Sequence, residues 1–256
     1  MMTLTDTHTH IYSEEFQHDR DAMMQRAFDA GVTRLFVPSI DSEYTQQMYD
    51  LQEQYPDNVF LMMGLHPTYV RENYKDELAH VERELASRKF AAVGEIGIDL
   101  YWDKTRLADQ QFAFKYQIQL AKKYKLPINI HCRDAFNEVF EVLEQEQDDD
   151  LRGIFHCFTG NLEQAQKVIS LGFYLGIGGV VTYKNAGLDK ILPEIDLSHI
   201  VLETDSPYLT PVPHRGKPNE SSYLIYVAQK VADVYQVTLD VVADITTANS
   251  KKIFGV

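Results

Sequence analysis

Only two cysteines, Cys132 and Cys157, occur among 256 residues, and they form no CxxC pair. A disulfide framework is thereby excluded, and the pattern is that of a chain kept in a reducing cytosol. Long apolar runs are missing as well: none approaches the roughly 20 residues of a membrane span, and the N-terminal stretch has no apolar h-region of a secretory signal. These absences predict a soluble, cytoplasmic protein with no membrane partner. Positive charge is scarce, with 24 Lys and Arg against 38 Asp and Glu and a formal net charge of -14. A broad basic surface that grips long nucleic acid is excluded, whereas a substrate held by ions in a small pocket is not. Low-complexity linkers, composition breaks and long repeats are absent too, so residues 1–256 read as one domain. What the chain does have is core material, 45% hydrophobic residues against 24% charged, far from a disordered composition.

Short apolar runs alternate with longer amphipathic stretches from end to end. Strands are expected at residues 4–11, 34–40, 59–65, 90–98, 127–133, 153–158, 173–180 and 199–205. Helical patterns follow them at 19–30, closed by Gly31, and at 43–55, 75–87, 107–124, 136–146, 162–171 and 187–192, with two more at 221–235 and 239–253. Apolar strands separated by helices imply parallel pairing with both faces covered. Eight such units in about 250 residues predict an α/β protein, a (β/α)8 TIM barrel. A doubly wound open sheet competes, but it gives no reason for polar residues at so many strand ends.

Those strand ends carry the chemistry. His8 and His10, two residues apart above Asp6, share a face if the first strand runs through them, and two neutral imidazoles can hold a divalent cation. Taken alone, HxH reads better as a half-exposed pair on an edge strand. The balance shifts because His66, Glu95, His131, Arg133, His156, Glu203 and Asp205 also fall at strand ends, which a barrel gathers at one mouth. Burying so many ionisable groups together costs several kcal/mol apiece unless cations compensate them. Alternation turns Cys132 and Cys157 away from His131, Arg133 and His156, as small buried residues rather than thiolate ligands. His18, His80 and His199 sit in helical or strand-start contexts and read as structural.

The ordered set DTHTH (6–10), GLHP (64–67), GEIGID (94–99), HCRDA (131–135), FHCFTG (155–160), LETDSP (202–207) and RGKPNE (215–220) resembles the TatD-related metal-dependent deoxyribonucleases, a branch of the amidohydrolase-like metallohydrolases. The closing segment 247–254 resembles that family too; Ser221 departs from it, standing where a proline usually follows Asn-Glu. The resemblance implies two divalent ions per chain, one held by His8, His10, Glu95 and Asp205, the other by Glu95, His131 and His156. It implies a water that loses its proton to Asp205, the general base, and attacks phosphorus. Mixed nitrogen and oxygen ligation suits Zn, Mn or Co better than Mg, although the family is usually described as magnesium-dependent, so the ion stays open. Arg133 offers a fork to a phosphate oxygen, against the alternative of an ion pair with a carboxylate. His66 reads as a phosphate contact or proton donor, or simply as a turn residue before Pro67. Glu203 reads as orienting a histidine ligand or Arg133. Arg215, Lys217 and Asn219 would guide a phosphodiester backbone from a mobile loop, and Tyr101 and Trp102 would stack on a base or merely pack. The activity so implied is an exonuclease on single-stranded DNA or RNA, working as a monomer. The alternative keeps the ions and changes the bond: an acyl hydrolase such as a D-aminoacyl-tRNA deacylase. Arg133, Arg215 and Lys217 favour phosphate, and Glu95 stands where ordinary amidases carry a carboxylated lysine.

Overall fold

The computed structural model describes residues 2–256. Eight parallel strands lie in sequence order in one sheet: β1 (Leu4–Asp6), β2 (Val32–Pro38), β3 (Val59–Met63), β4 (Ala92–Asp99), β5 (Ile128–Arg133), β6 (Gly153–Phe155), β7 (Phe173–Ile177) and β8 (Ile200–Leu202). The sheet curls until β8 meets β1, where Thr7 N–H donates to Leu202 O at 3.0 Å and Asp205 N–H to His8 O at 2.9 Å. Helices α1 (Arg20–Asp29), α2 (Thr45–Gln54), α3 (Tyr74–Ser87), α4 (Leu107–Tyr124), α5 (Phe136–Glu146), α6 (Leu162–Ser170) and α7 (Leu188–Ile191) fill the crossovers, and α8 (Leu224–Tyr235) and α9 (Leu239–Phe254) follow β8. This is the (β/α)8 barrel that the apolar runs predict. Among the described residues no helix is long and apolar enough to cross a membrane.

Period-two alternation sorts the strand side chains into two layers. Phe36, Met62, Ala92, Ile154 and Val201, from five strands, pack together with Ile253 and Phe254, whereas Leu35, Val37, Val93 and Leu202 belong to the larger layer under the helices. The Phe254 ring stacks on Phe36 at 3.8 Å. Asn249 of α9 donates its amide to Leu197 O and Ile200 O, and Thr247 its hydroxyl to Thr3 O. The end of α9 therefore plugs the N-terminal mouth of the barrel and leaves the opposite mouth for chemistry. The helices are cut to the same logic: α5 buries Val139, Val142, Leu143 and Glu146 on one stripe, and α6 opens with a capping box in which Asn161 and Gln164 each satisfy the other's backbone N–H.

Strand lengths differ from expectation in one consistent way. β1 stops at Asp6, β6 at Phe155 and β8 at Leu202, several residues before the expected ends. The polar residues that follow leave the ladder and bend over the mouth; Cys157 and Asp205, with φ of 46° and 54°, are left-handed at these bends. Ser221, the departure from the family pattern, opens a single 3-10 turn (Ser221–Tyr223) before α8. Its buried hydroxyl lies 3.3 Å from Thr9 Oγ1, so the missing proline is replaced by a polar tie to the first strand's loop.

Candidate active site

Glu95, buried midway along β4, is the hub, and its two carboxylate oxygens face two different groups of candidate ligand atoms. Oε2 lies 3.2 Å from His8 Nε2 and 3.5 Å from His10 Nε2, while Asp205 Oδ1 is 3.6 Å from each of those nitrogens. Oε1 lies 2.7 Å from His131 Nδ1, 2.9 Å from His156 Nε2 and 3.1 Å from His66 Nε2. All six expected ligands thus converge at the C-terminal mouth. His8 and His10 do so by the path of the loop after β1 rather than by strand alternation, because β1 has already ended. Asp6 does not join them: its carboxylate accepts from the Thr204 N–H at 2.9 Å and the Thr204 hydroxyl at 2.6 Å. Burial pushes its pKa up to about 7.

The hydrogen bonds on the far side of each ring say what it presents to the hub. His8 Nδ1 donates to Asn129 Oδ1 at 2.8 Å, and His131 Nε2 donates to Asp99 Oδ2 at 2.9 Å. Tyr12 gives its own proton to Pro38 O, so its oxygen accepts from His10 Nδ1 at 2.9 Å. His156 Nδ1 faces Glu203 Oε1 at 3.4 Å. The three hydrogen-bonded rings, His8, His10 and His131, then turn a bare nitrogen toward the carboxylates, and His156 points its Nε2 at Glu95 Oε1. His66 is reversed: its Nδ1 accepts the Thr68 N–H at 3.1 Å, which leaves Nε2 carrying the proton.

Bare nitrogens crowded against carboxylate oxygens are acceptors facing acceptors, an arrangement that only cations make favourable. The spacing agrees. A cation with ligands at about 2.1 Å sets its ligand atoms roughly 3.4 Å apart in a tetrahedral shell, and the first group spans 3.2 to 3.6 Å. Ligand atoms close enough to share one ion occur as His8, His10 and Glu95, as His8, His156 and Asp205, and as His66, Glu95 and His131. Among the described residues no cysteine joins such a group, and burial pushes both thiols up, away from the thiolate. With protons as the sole counterions, the charges sort themselves accordingly. Burial alone would raise Glu95, but His66, His156 and His8 outweigh it and hold the carboxyl well below its usual range. Burial disfavours a proton on His131 and His156, yet Asp99 and Glu95 raise the first, and Glu95 with Glu203 raises the second well above an ordinary imidazole. Asp205 is raised by burial, and burial lowers His66 to about 4.

The loops place the remaining expected residues less uniformly. Arg133 is exposed, and its guanidinium lies 3.7 Å from the Tyr101 ring centroid instead of in an ion pair. Glu203, fully buried, accepts the Cys157 N–H at 2.6 Å besides facing His156, and has no contact with Arg133. A Cβ on Gly176 would come within 2.3 Å of its Oε2, so that glycine makes the room for this carboxylate. Arg215 lies over the Tyr183 ring at 4.1 Å, and Lys217 is exposed. Asn219 is a correction. It is buried, its amide donates to Thr204 O and Tyr208 O at 2.7 Å each, and its Oδ1 accepts from Glu220 N, so it braces the loop after β8 instead of meeting substrate. Among the histidines set aside as structural, His80 pairs with the Thr45 hydroxyl at 2.9 Å.

Three partners of the ligands escaped the sequence: Asn129, Tyr12 and, in its bond to His131, Asp99. Each sits two or four residues from a ligand at an otherwise apolar or turn position. A polar residue in step with a ligand was the available signal.

A nest of bare imidazole nitrogens and buried carboxylates at the C-terminal mouth of a (β/α)8 barrel defines a metal-dependent hydrolase. The chain belongs to the TatD-related DNase family, whose model matches residues 5–255. It is 39% identical over 254 residues to the uncharacterized metal-dependent hydrolase YabD of Bacillus subtilis, covering 99% of each chain. It is 32% identical over 257 residues to the 3'-5' ssDNA/RNA exonuclease TatD of Pantoea ananatis, covering 98% of each. The crystal structure of the TatD homologue YjjV from Escherichia coli superposes with a TM-score of 0.93 at 30% identity, over 99% of this chain and 98% of that one.

Proposed function

We propose that the protein is a phosphodiester hydrolase that removes nucleotides from the end of single-stranded DNA or RNA, acting in the cytoplasm as a one-domain monomer with two divalent cations (Mg, Mn, Zn or Co). The observation that carries this is the division of Glu95: each of its oxygens faces its own group of ring nitrogens, so this one carboxylate would serve two cations at once. Cations held there would supply Lewis acidity to a phosphoryl group and ease loss of a proton from water. His8, His10 and Asp205 would hold one and His131 and His156 the other. The Asp205 carboxyl, 13% exposed and raised by burial, keeps one oxygen free to accept the proton of the attacking water. His66, neutral at pH 7, would turn its Nε2 proton, which faces Glu95 Oε1 at 3.1 Å, to a phosphate oxygen as a hydrogen bond rather than act as an imidazolium acid. Arg133 offers an exposed guanidinium over Tyr101, and the loop after β8 carries Arg215, over the Tyr183 ring, and the exposed Lys217. These cations suit a phosphate better than a neutral amide, which favours nucleotide release over aminoacyl-tRNA deacylation.

The test is mononucleotide release from a labelled single-stranded oligonucleotide by protein reconstituted with Mn, Mg or Zn, beside hydrolysis of charged tRNA. Release from the oligonucleotide, lowered at least about a hundredfold by Asp205→Asn, is the expected result. Intact oligonucleotide with both sites occupied, or preference for charged tRNA, would overturn it.

A further inference from the structure

The chain's single tryptophan, Trp102, is 70% exposed, and its neighbour Tyr101 is 53% exposed. Large aromatic surface left in water is unfavourable, and here it is held in place rather than free to turn inward. Asp99 Oδ1 accepts the N–H groups of Tyr101 and Trp102 at 2.9 and 3.1 Å. Gln110 clasps the Asp99 backbone from below, accepting its N–H at 2.8 Å and donating to its carbonyl at 3.1 Å. Leu100 N–H donates to Arg133 O at 2.9 Å, tying this loop to the end of β5. The two rings meet edge to face, 5.0 Å between centroids at 90°, and the Arg133 guanidinium lies 3.7 Å from Tyr101 and 5.7 Å from Trp102. The other oxygen of Asp99 holds His131. One carboxylate therefore fixes both an exposed aromatic surface and a ring of the reaction centre.

We propose that Trp102, backed by Tyr101 and Arg133, is a stacking platform for an unpaired nucleobase of the strand being cut. The inference rests on the nuclease reading above and adds how the strand is held. A net charge of -14 denies the protein a long electrostatic grip, so affinity for a short strand must come from a few local contacts. Stacking on a rigid ring supplies one to any base, because every base has a π-face. It also selects single strands, since a paired base has both faces covered by its neighbours. Arg133 meets the adjoining phosphate while flattened on Tyr101.

With one tryptophan, emission excited at the red edge of the absorption band, where the 15 tyrosines absorb little, reports this surface alone. Metal-loaded protein is titrated with a phosphorothioate-linked hexathymidylate, to slow cleavage, and with the same backbone carrying abasic sugars. The expected result is saturable quenching by the base-bearing strand, with the abasic strand binding about tenfold more weakly. Trp102→Ala should raise KM for base-bearing oligonucleotides about tenfold, move kcat less, erase the preference over abasic strands and leave Tm in place; Trp102→Phe should recover most of the KM. Equal binding of both strands, with unmoved emission, overturns the platform even if cleavage is seen. Base-dependent quenching, with an ordinary phosphodiester hexathymidylate left uncut by the metal-loaded protein, supports the platform and overturns the nuclease reading, so the two failures are distinguishable.

Discussion

At the scale of single residues, an imidazole offered to a cation depends on the bond behind its far nitrogen, which fixes the tautomer. His8, His10, Glu95, His131, His156 and Asp205 announce themselves because an ionisable group at the end of an apolar run has no cheap structural use. Tyr12 announces nothing, since an aromatic residue near the start of a chain is ordinary core material, and it is in fact buried. Its value comes from a chain of bonds that only coordinates expose: Pro38 O takes the phenol proton, and the phenol oxygen takes the proton of His10 Nδ1. That fixes which His10 nitrogen is bare. Tyr12→Phe keeps the ring and removes the acceptor, leaving a buried N–H unmatched and the ring free to choose the other tautomer. Metal affinity is expected to fall about tenfold with the fold intact, measured by competition with a chromophoric chelator. An unchanged affinity would show that His10 is oriented by its ligand bonds alone.

At the scale of elements, the helices were easier to bound than the strands. The limits of α4 and α5 follow from hydrophobic spacing alone, because a helical stripe simply stops when its apolar positions run out. The strands β1, β6 and β8 end earlier than the pattern suggests because the polar residues after them, although compatible with an extended backbone, leave the ladder and bend over the mouth as the barrel closes. Sequence pattern carries no record of that curvature. The pairing of β4 with β5 carries more, through Gly97. A Cβ there would lie 2.0 Å from the His131 carbonyl oxygen, and its φ of +147° is a region L residues avoid. Gly97→Ala must therefore push β4 off β5 between Glu95 and His131. A loss of about 3 kcal/mol or more is expected in urea unfolding, together with weaker metal binding. Gly187→Ala is the comparison: its φ is +78° but nothing lies within 4 Å of the added carbon, so it should cost only about 1 kcal/mol. Equal losses for the two would mean that conformation, not the contact with β5, decides the position.

For the whole molecule, cations placed as proposed would compete with protons for the same nitrogens, and this would tie stability to pH. Without ions, His131 and His156 bind protons more tightly folded than unfolded. A base so raised stabilises the fold fully below its unfolded pKa of about 6.5, and the benefit is lost as pH climbs through the higher folded value. Asp205, also raised, acts in the same direction: above its folded pKa the fold must carry a buried carboxylate unrelieved by a proton. Glu95 is ionised throughout. His66, held to about 4, opposes the trend only below about pH 6.5. The metal-free protein should therefore weaken as pH rises above about 6.5, while cations, freed of proton competition, bind more tightly over the same range. Each proton displaced per ion steepens the gain by about 1.4 kcal/mol per pH unit. The rise in Tm on adding Zn or Mn should be larger at about pH 8 than at about pH 6.5. A gain that is flat or shrinks with pH would mean that these ring nitrogens are not where the ions bind, and the division of Glu95 between two cation positions would fail with it.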